Sequence, residues 1–244
     1  MNAGTASAGT ALVVSAHSAD FVWRAGGAIA LHAERGWQVT VVCLSFGERG
    51  ESAKLWRQPD MTLERVKAER QGEAERAAAA LGVHDLQFWD LGDYPLTLSQ
   101  ESLFRLAALY RTIRPRFVLT HSREDPYNHD HPATTDFAQH ARIIAQAHGH
   151  EPGVPVIGAP PVYLFEPHQP EQCAWAPDRL LDITPVWERK LAAIRCMAGQ
   201  EHLWDYYTRV ALQRGAQAAR NSERAVTYGE GYQSVFPHVV ESLA

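Results

Sequence analysis

The chain has 244 residues, with 23 Lys and Arg against 28 Asp and Glu, a formal net charge of −5, and 45% apolar residues. A chain of this size can bury a large core without disulfides, and its mildly acidic balance, with no basic stripe, argues against nucleic acid or an anionic membrane as partner. No apolar run is long enough to span a membrane, the first residues lack the pattern of a secretory signal, and Cys43, Cys173 and Cys196 form no close-spaced set, so free thiols in a cytoplasmic protein are expected.

Residues 1–10 are small and polar and are expected to fray. Ala11 to Ala16 is a short apolar run ending in a polar turn, as in a buried parallel strand. A helical pattern over 22–35 follows, closed by Gly36. Gln38 to Phe46 is a second strand that ends in the loop GERGES. Residues 62–81 read as a long helix capped by Thr62 and ended by Gly82. Leu86 to Leu91 is a third strand, 99–113 a helix capped by Ser99, and Arg116 to His121 a fourth strand. A polar loop runs to His131, and a helix covers about 132–147. The segment 149–185 is rich in proline, with one strand near 162–166, and two helices over 185–197 and 199–220 complete the pattern.

Four strand–helix alternations predict one α/β domain over residues 1–244. It has a Rossmann-like, mostly parallel sheet, helices on both faces and a C-terminal helical extension over 185–244. In such sheets, sites form at the carboxyl ends of the strands near a topological switch point. The loops after the first, second and fourth strands are therefore the places to look.

Histidine is the outlier of the composition, with 12 residues, several of them clustered. One cluster, Ala16-His17-Ser18-Ala19-Asp20, follows the first strand. The other, Asp125 to Pro132 with Asn128-His129-Asp130-His131, follows the fourth. Both lie on the same sheet edge. Two His and one Asp converging there suit a divalent metal with an open position for chemistry. Each cluster alone is more often a hydrogen-bonded polar residue or a solvated turn; it is their combination on one edge that points to a metal.

These motifs resemble the PIG-L/LmbE-like superfamily of zinc-dependent N-deacetylases. Its members carry an AHPDDE-like motif after the first strand and an HxDH-like motif after the fourth. AHSAD at 16–20 and NHDH at 128–131 match in order, spacing and context, and the resemblance spans about residues 11–145. It implies His17, Asp20 and His131 as zinc ligands, with His129 pointing away or, in the alternative, exchanged with His131. Fe²⁺ and Mn²⁺ suit the same donors. It also implies assembly into a homo-oligomer. Two positions depart from the pattern. Ala19 stands where the deacetylases have their general base, and Asn128 stands where a His stabilises the oxyanion. A methyl group cannot accept a proton, and amide hydrolysis needs proton transfer to its leaving amine. The departures imply a changed reaction.

AHSADFVWRAGGAIA, the FGERGES loop and Phe165 to Glu171 are similar to the hydratase branch of the superfamily. Its members hydrate 4-oxalomesaconate, or its enol tautomer 4-carboxy-2-hydroxymuconate, in gallate and protocatechuate degradation. That reaction has no leaving amine but still needs a base. Glu48, in the loop after the second strand, is the candidate, with Glu51 the less favoured substitute. His168, framed by prolines in EPHQPE, is a second acid–base candidate. A tricarboxylate substrate calls for cations. Arg24, Arg49 and Arg123 lie on the correct edge, and Tyr127 and Asn128 are further candidates for substrate contact. Two other readings stay open: an N-deacetylase that uses Glu48 or His168 in place of Ala19, and a metal-stabilised binding protein with a closed coordination sphere.

Overall fold

The computed structural model of the protein describes residues 8–240. Its elements in chain order are β1 (Thr10–Ser15), α1 (Asp20–Glu34), β2 (Gln38–Cys43), α2 (Ala53–Trp56), α3 (Leu63–Leu81), β3 (Asp85–Phe88), α4 (Gln100–Ile113), β4 (Phe117–Thr120), α5 (Asp130–Gln146), β5 (Val162–Phe165), β6 (Arg179–Asp182), α6 (Trp187–Cys196), α7 (Trp204–Arg220) and β7 (Gly229–Ser234). Thr10 opens β1, and residues 1–7 of the segment expected to fray lie outside the described residues.

The caps follow the local chemistry. The Thr62 side chain accepts a hydrogen bond from Arg65 N at the start of α3. Ser99 and Ser102 form a capping box at the start of α4.

The seven strands among the described residues form one sheet in the order β3-β2-β1-β4-β5-β7-β6. β1 pairs in parallel with β2 on one side and β4 on the other, β2 with β3, and β4 with β5. β7 is antiparallel to both β5 and β6. Parallel strands covered on both faces need apolar side chains on both. Leu12 and Val14 accordingly face the core built by α4 and α5, while Ala11 and Val13 face the core built by α1, α3, α6 and α7.

The expected mostly parallel sheet with helices on both faces is thus present. The C-terminal part holds more than helices: β6 and β7 extend the sheet beyond β5. These strands are short, half-buried or rich in glycine, so they carry little period-two signal.

The chain reverses its direction of travel across the sheet between β1 and β4. The topological switch point therefore lies at their carboxyl ends, between the loop 16–19 and the loop 121–129.

Candidate active site

The ends of β1 and β4 are tied together: Ala16 N donates to His121 Nε2 at 2.9 Å, and Thr120 Oγ1 donates to Val14 O at 3.0 Å. From there the β1 loop turns into α1. His17 N donates to Asp20 Oδ2 at 2.9 Å, and His17 Nδ1 lies 3.1 Å from the same oxygen. Asp20 is the first residue of α1, where a carboxylate is also favoured by the helix dipole. Across the switch point, the Asn128 side-chain oxygen accepts from Asp130 N at 3.1 Å and starts α5. That turn delivers His131. His131 Nδ1 is 2.8 Å from Asp125 Oδ2, and its Nε2 faces Asp20 Oδ1 at 3.5 Å.

His17, Asp20, Glu51 and His131 bring one ligand atom each to within 4.8 Å of one another. All four are buried or nearly so. Two of their atoms, His131 Nε2 and Glu51 Oε2, are buried without a hydrogen-bond partner among the described residues. Such orphans are costly in a folded core.

The electrostatics point the same way. Burial works against a charge on His17, yet Glu51, Asp130, Asp20 and Asp93 outweigh it and raise the imidazole well above its usual range. Burial alone would raise Asp20, yet His131, His121 and His17 hold its carboxyl well below the usual range. The group is thus short of positive charge, with two imidazoles and two carboxylates converging on one point. That donor set fits a divalent cation.

Outer partners set the inner ones. His17 Nε2 is 3.2 Å from Asp93 Oδ1 and 3.5 Å from Asp130 Oδ2. With that nitrogen facing two carboxylates, Nδ1 is left for the cluster. Asp93 also accepts from Arg49 N and Gly50 N, and Asp130 accepts from Tyr94 N and Leu96 N. Two carboxylates therefore tie the 47–52 loop and the 93–97 loop to the site. The His121 ring stacks on His131 with centroids 4.1 Å apart, and burial followed by the nearby His131 pushes His121 well below its usual value.

The structure brings His17, Asp20 and His131 together, while His129 is exposed. The two loop glutamates are placed differently. Glu48 is buried, but its carboxylate folds back onto its own loop: Oε2 accepts from Phe46 N at 3.1 Å, and Oε1 is 3.7 Å from Lys67 Nζ. Glu51, three residues on, reaches the cluster, with Oε1 3.3 Å from His17 Nδ1.

Arg24 is buried beside Asp20, with Nε 3.5 Å from Asp20 Oδ1 and Nη1 donating to Glu166 O at 2.9 Å. Burial opposes its charge, but Tyr207, Asp20, Asp125 and Glu51 outweigh it and strengthen the guanidinium's hold on its proton. His168 follows β5 and packs on Tyr206, whose hydroxyl donates to His168 O. Burial first, then Arg24, lowers its pKa from the usual 6.5. Asn128 is buried with its oxygen committed to Asp130.

Arg49, Arg123 and Tyr127 are exposed, and none of them contacts the cluster: Arg49 N binds Asp93, Arg123 Nη2 donates to Gln139 Oε1 at 3.3 Å, and Tyr127 is 62% exposed. Sequence reasoning missed His121, Asp93 and Asp125 as site residues. His121 was legible as the polar end of the fourth strand, and Asp125 as a carboxylate shortly before His131. Asp93 had no signal, because its role exists only once two distant loops meet.

The profile of the PIG-L family, described as GlcNAc-PI de-N-acetylase, matches residues 12–142. The 4-oxalmesaconate hydratase of Pseudomonas putida KT2440 is 65% identical over 239 residues, covering 96% of this chain and 92% of the relative. The crystal structure of GalB, the 4-carboxy-2-hydroxymuconate hydratase from the same organism, superposes with a TM-score of 0.94 and covers 97% of this chain and 100% of that one. N,N'-diacetylchitobiose deacetylase from Pyrococcus horikoshii is 25% identical, with a TM-score of 0.77, and covers 94% of this chain and 84% of its own. The family match runs from β1 into α5 and so contains both loops of the switch point; the chain is a member of the PIG-L family.

Proposed function

We propose that the protein is a metal-dependent hydratase. It adds water across the C=C bond of 4-oxalomesaconate, or of its enol tautomer 4-carboxy-2-hydroxymuconate, to give 4-carboxy-4-hydroxy-2-oxoadipate. The observation that carries this reading is the 65% identity, over 96% of the chain, to a 4-oxalmesaconate hydratase. Ala19 supports it: the position that would hold a deacetylase base is a fully buried methyl group.

His17, Asp20 and His131 would hold the metal, with Glu51 beside them. Two imidazoles with carboxylates suit Zn²⁺, and Fe²⁺ or Mn²⁺ accept the same donors. When bound there, the ion supplies Lewis acidity toward the substrate's oxo and carboxylate oxygens. Glu51 Oε2, buried and unpartnered, takes the proton that water gives up as its oxygen bonds to carbon. Glu48 holds the loop that presents Glu51. His168, neutral at pH 7 because its pKa is lowered, relays the proton taken by Glu51 to the carbon next to the one that water attacks. Arg24 holds one substrate carboxylate, and Arg49, Arg123 and Tyr127 meet the outer carboxylates at the rim. Asn128 fixes the start of α5 that delivers His131. Three cysteines without disulfide partners support a cytoplasmic setting.

The test is a hydration assay that follows loss of the conjugated substrate's near-ultraviolet absorbance. Purified, chelator-stripped and Zn²⁺-reloaded protein are compared. Activity that disappears on stripping and returns with metal is the expected result. No turnover by fully metallated protein rejects the reading. Ala19→Asp separates it from an N-deacetylase: the substitution should raise no amide hydrolysis and should not improve hydration.

A further inference from the structure

Tyr94 is on no part of either sequence motif, yet it stands over the cluster. Its ring centroid is 5.8 Å from that of His17. It is 45% exposed, so one side faces the cluster and the other faces solvent. Its hydroxyl has no hydrogen-bond partner among the described residues.

Three features hold the ring in that place. Its backbone is in the left-handed region, with φ 47°, which side chains with a Cβ rarely adopt. Its amide is fixed by Asp130 Oδ2 at 3.0 Å, and Asp130 also faces His17. Its ring lies flush against Gly50, where any Cβ would overlap the ring carbons. Gly50 is itself held by Asp93, which also faces His17. An unfavourable backbone, a carboxylate clamp and an obligatory glycine all serve to place one phenol at the mouth of the cluster.

We propose that the Tyr94 hydroxyl is a catalytic hydrogen-bond donor, directed at the substrate carboxylate that takes up negative charge as water adds. The inference rests on the hydratase reading above. In that reaction water's oxygen bonds to the substituted alkene carbon, and its released proton goes to Glu51. The π pair shifts toward the neighbouring carbon and its carboxylate, and that carbon then takes up one proton. Charge therefore rises transiently on a carboxylate that is already anionic, within a site rich in Asp and Glu. A neutral donor fixed in advance is worth most there, because it strengthens as the charge develops. Burial, followed by Glu51, Asp20 and Asp93, keeps the phenol protonated well beyond neutral pH.

The test compares wild type, Tyr94→Phe, Gly50→Ala and the double variant, each loaded with Zn²⁺ and assayed for hydration, with bound metal measured on the same samples. Tyr94→Phe keeps the ring and removes one oxygen. It should lower kcat about a hundredfold with little change in KM and with full metal content. Gly50→Ala should displace the ring and lower kcat in the same way, and the double variant should fall no further than Tyr94→Phe alone. Wild-type kcat in Tyr94→Phe, or a loss that merely tracks lost metal, overturns the proposal. A metal-loaded wild type without turnover overturns the hydratase reading itself, and the role of Tyr94 with it.

Discussion

His131 Nδ1 lies 2.8 Å from Asp125 Oδ2, and that contact turns the ring so that Nε2 faces Asp20. Asp125 is itself held in a turn, with Oδ1 accepting from Tyr127 N at 3.0 Å. Burial would raise Asp125, but His131 and Arg24 outweigh it and lower its carboxyl. The pair is a carboxylate–imidazole relay that orients a ligand and strengthens it as a donor.

Asp125→Asn should therefore weaken metal binding about 10- to 100-fold while leaving the fold intact. A competition titration against a chromogenic chelator reads this directly. Unchanged affinity would show that His131 is oriented by its packing on His121 instead.

The two loop glutamates should separate cleanly. Glu51→Gln should lower kcat by about 10²- to 10⁴-fold, because the amide cannot take the proton. Glu48→Gln keeps an oxygen that can accept from Phe46 N, and its loss should stay under about tenfold. The comparison is made at saturating substrate on protein with equal metal content. The reverse order would move the base to Glu48.

His168 predicts the acid side of the pH profile. Its pKa lies below 6.5 in the folded enzyme, chiefly through burial. The imidazole is therefore neutral above 6.5; the stability linked to this group is fully present above 6.5 and is lost as pH falls from there through the lower folded value, where the imidazole of the folded enzyme takes up its proton. The acid limb of kcat should lie below pH 6.5 in wild type and should be absent in the weaker profile of His168→Gln. An unmoved acid limb in that variant assigns it to another group.

Farther along α1 from Asp20, Glu230 on β7 is buried and takes four donors: Gly27 N at 2.6 Å, Ala28 N at 2.8 Å, Lys190 Nζ at 2.6 Å and Tyr232 Oη at 2.6 Å. Gly27 allows the approach, since a Cβ there would press on Glu230 Oε1 and Ile183. Lys190→Met leaves the carboxylate buried without its counter-charge and should cost about 3–5 kcal/mol. Lys190→Met combined with Glu230→Gln should cost less than the sum of the singles. Urea unfolding measures both, and additive losses would show that the two residues are not coupled.

Much of this protein was legible in its sequence because the relevant signals are local. Buried parallel strands must be apolar on both faces, so β1, β2 and β4 stand out as short apolar runs. Helix ends need caps, so Thr62 and Ser99 mark the starts of α3 and α4. His17 with Asp20 and Asn128 with His131 each sit within one turn, so their spacing survives in the linear chain. What only the tertiary structure decided is which side chains from separate loops share the same few ångströms. Three residues separate Glu48 from Glu51, yet one binds its own loop and the other meets His17. Asp93 and Tyr94 lie in a stretch with no motif, and they acquire a role only when Asp130 and Gly50 pack against them. β6 and β7 join the sheet through long-range pairing that no local period announces. Pairings between distant segments are set by packing in three dimensions, and that is the one interaction a linear pattern does not encode.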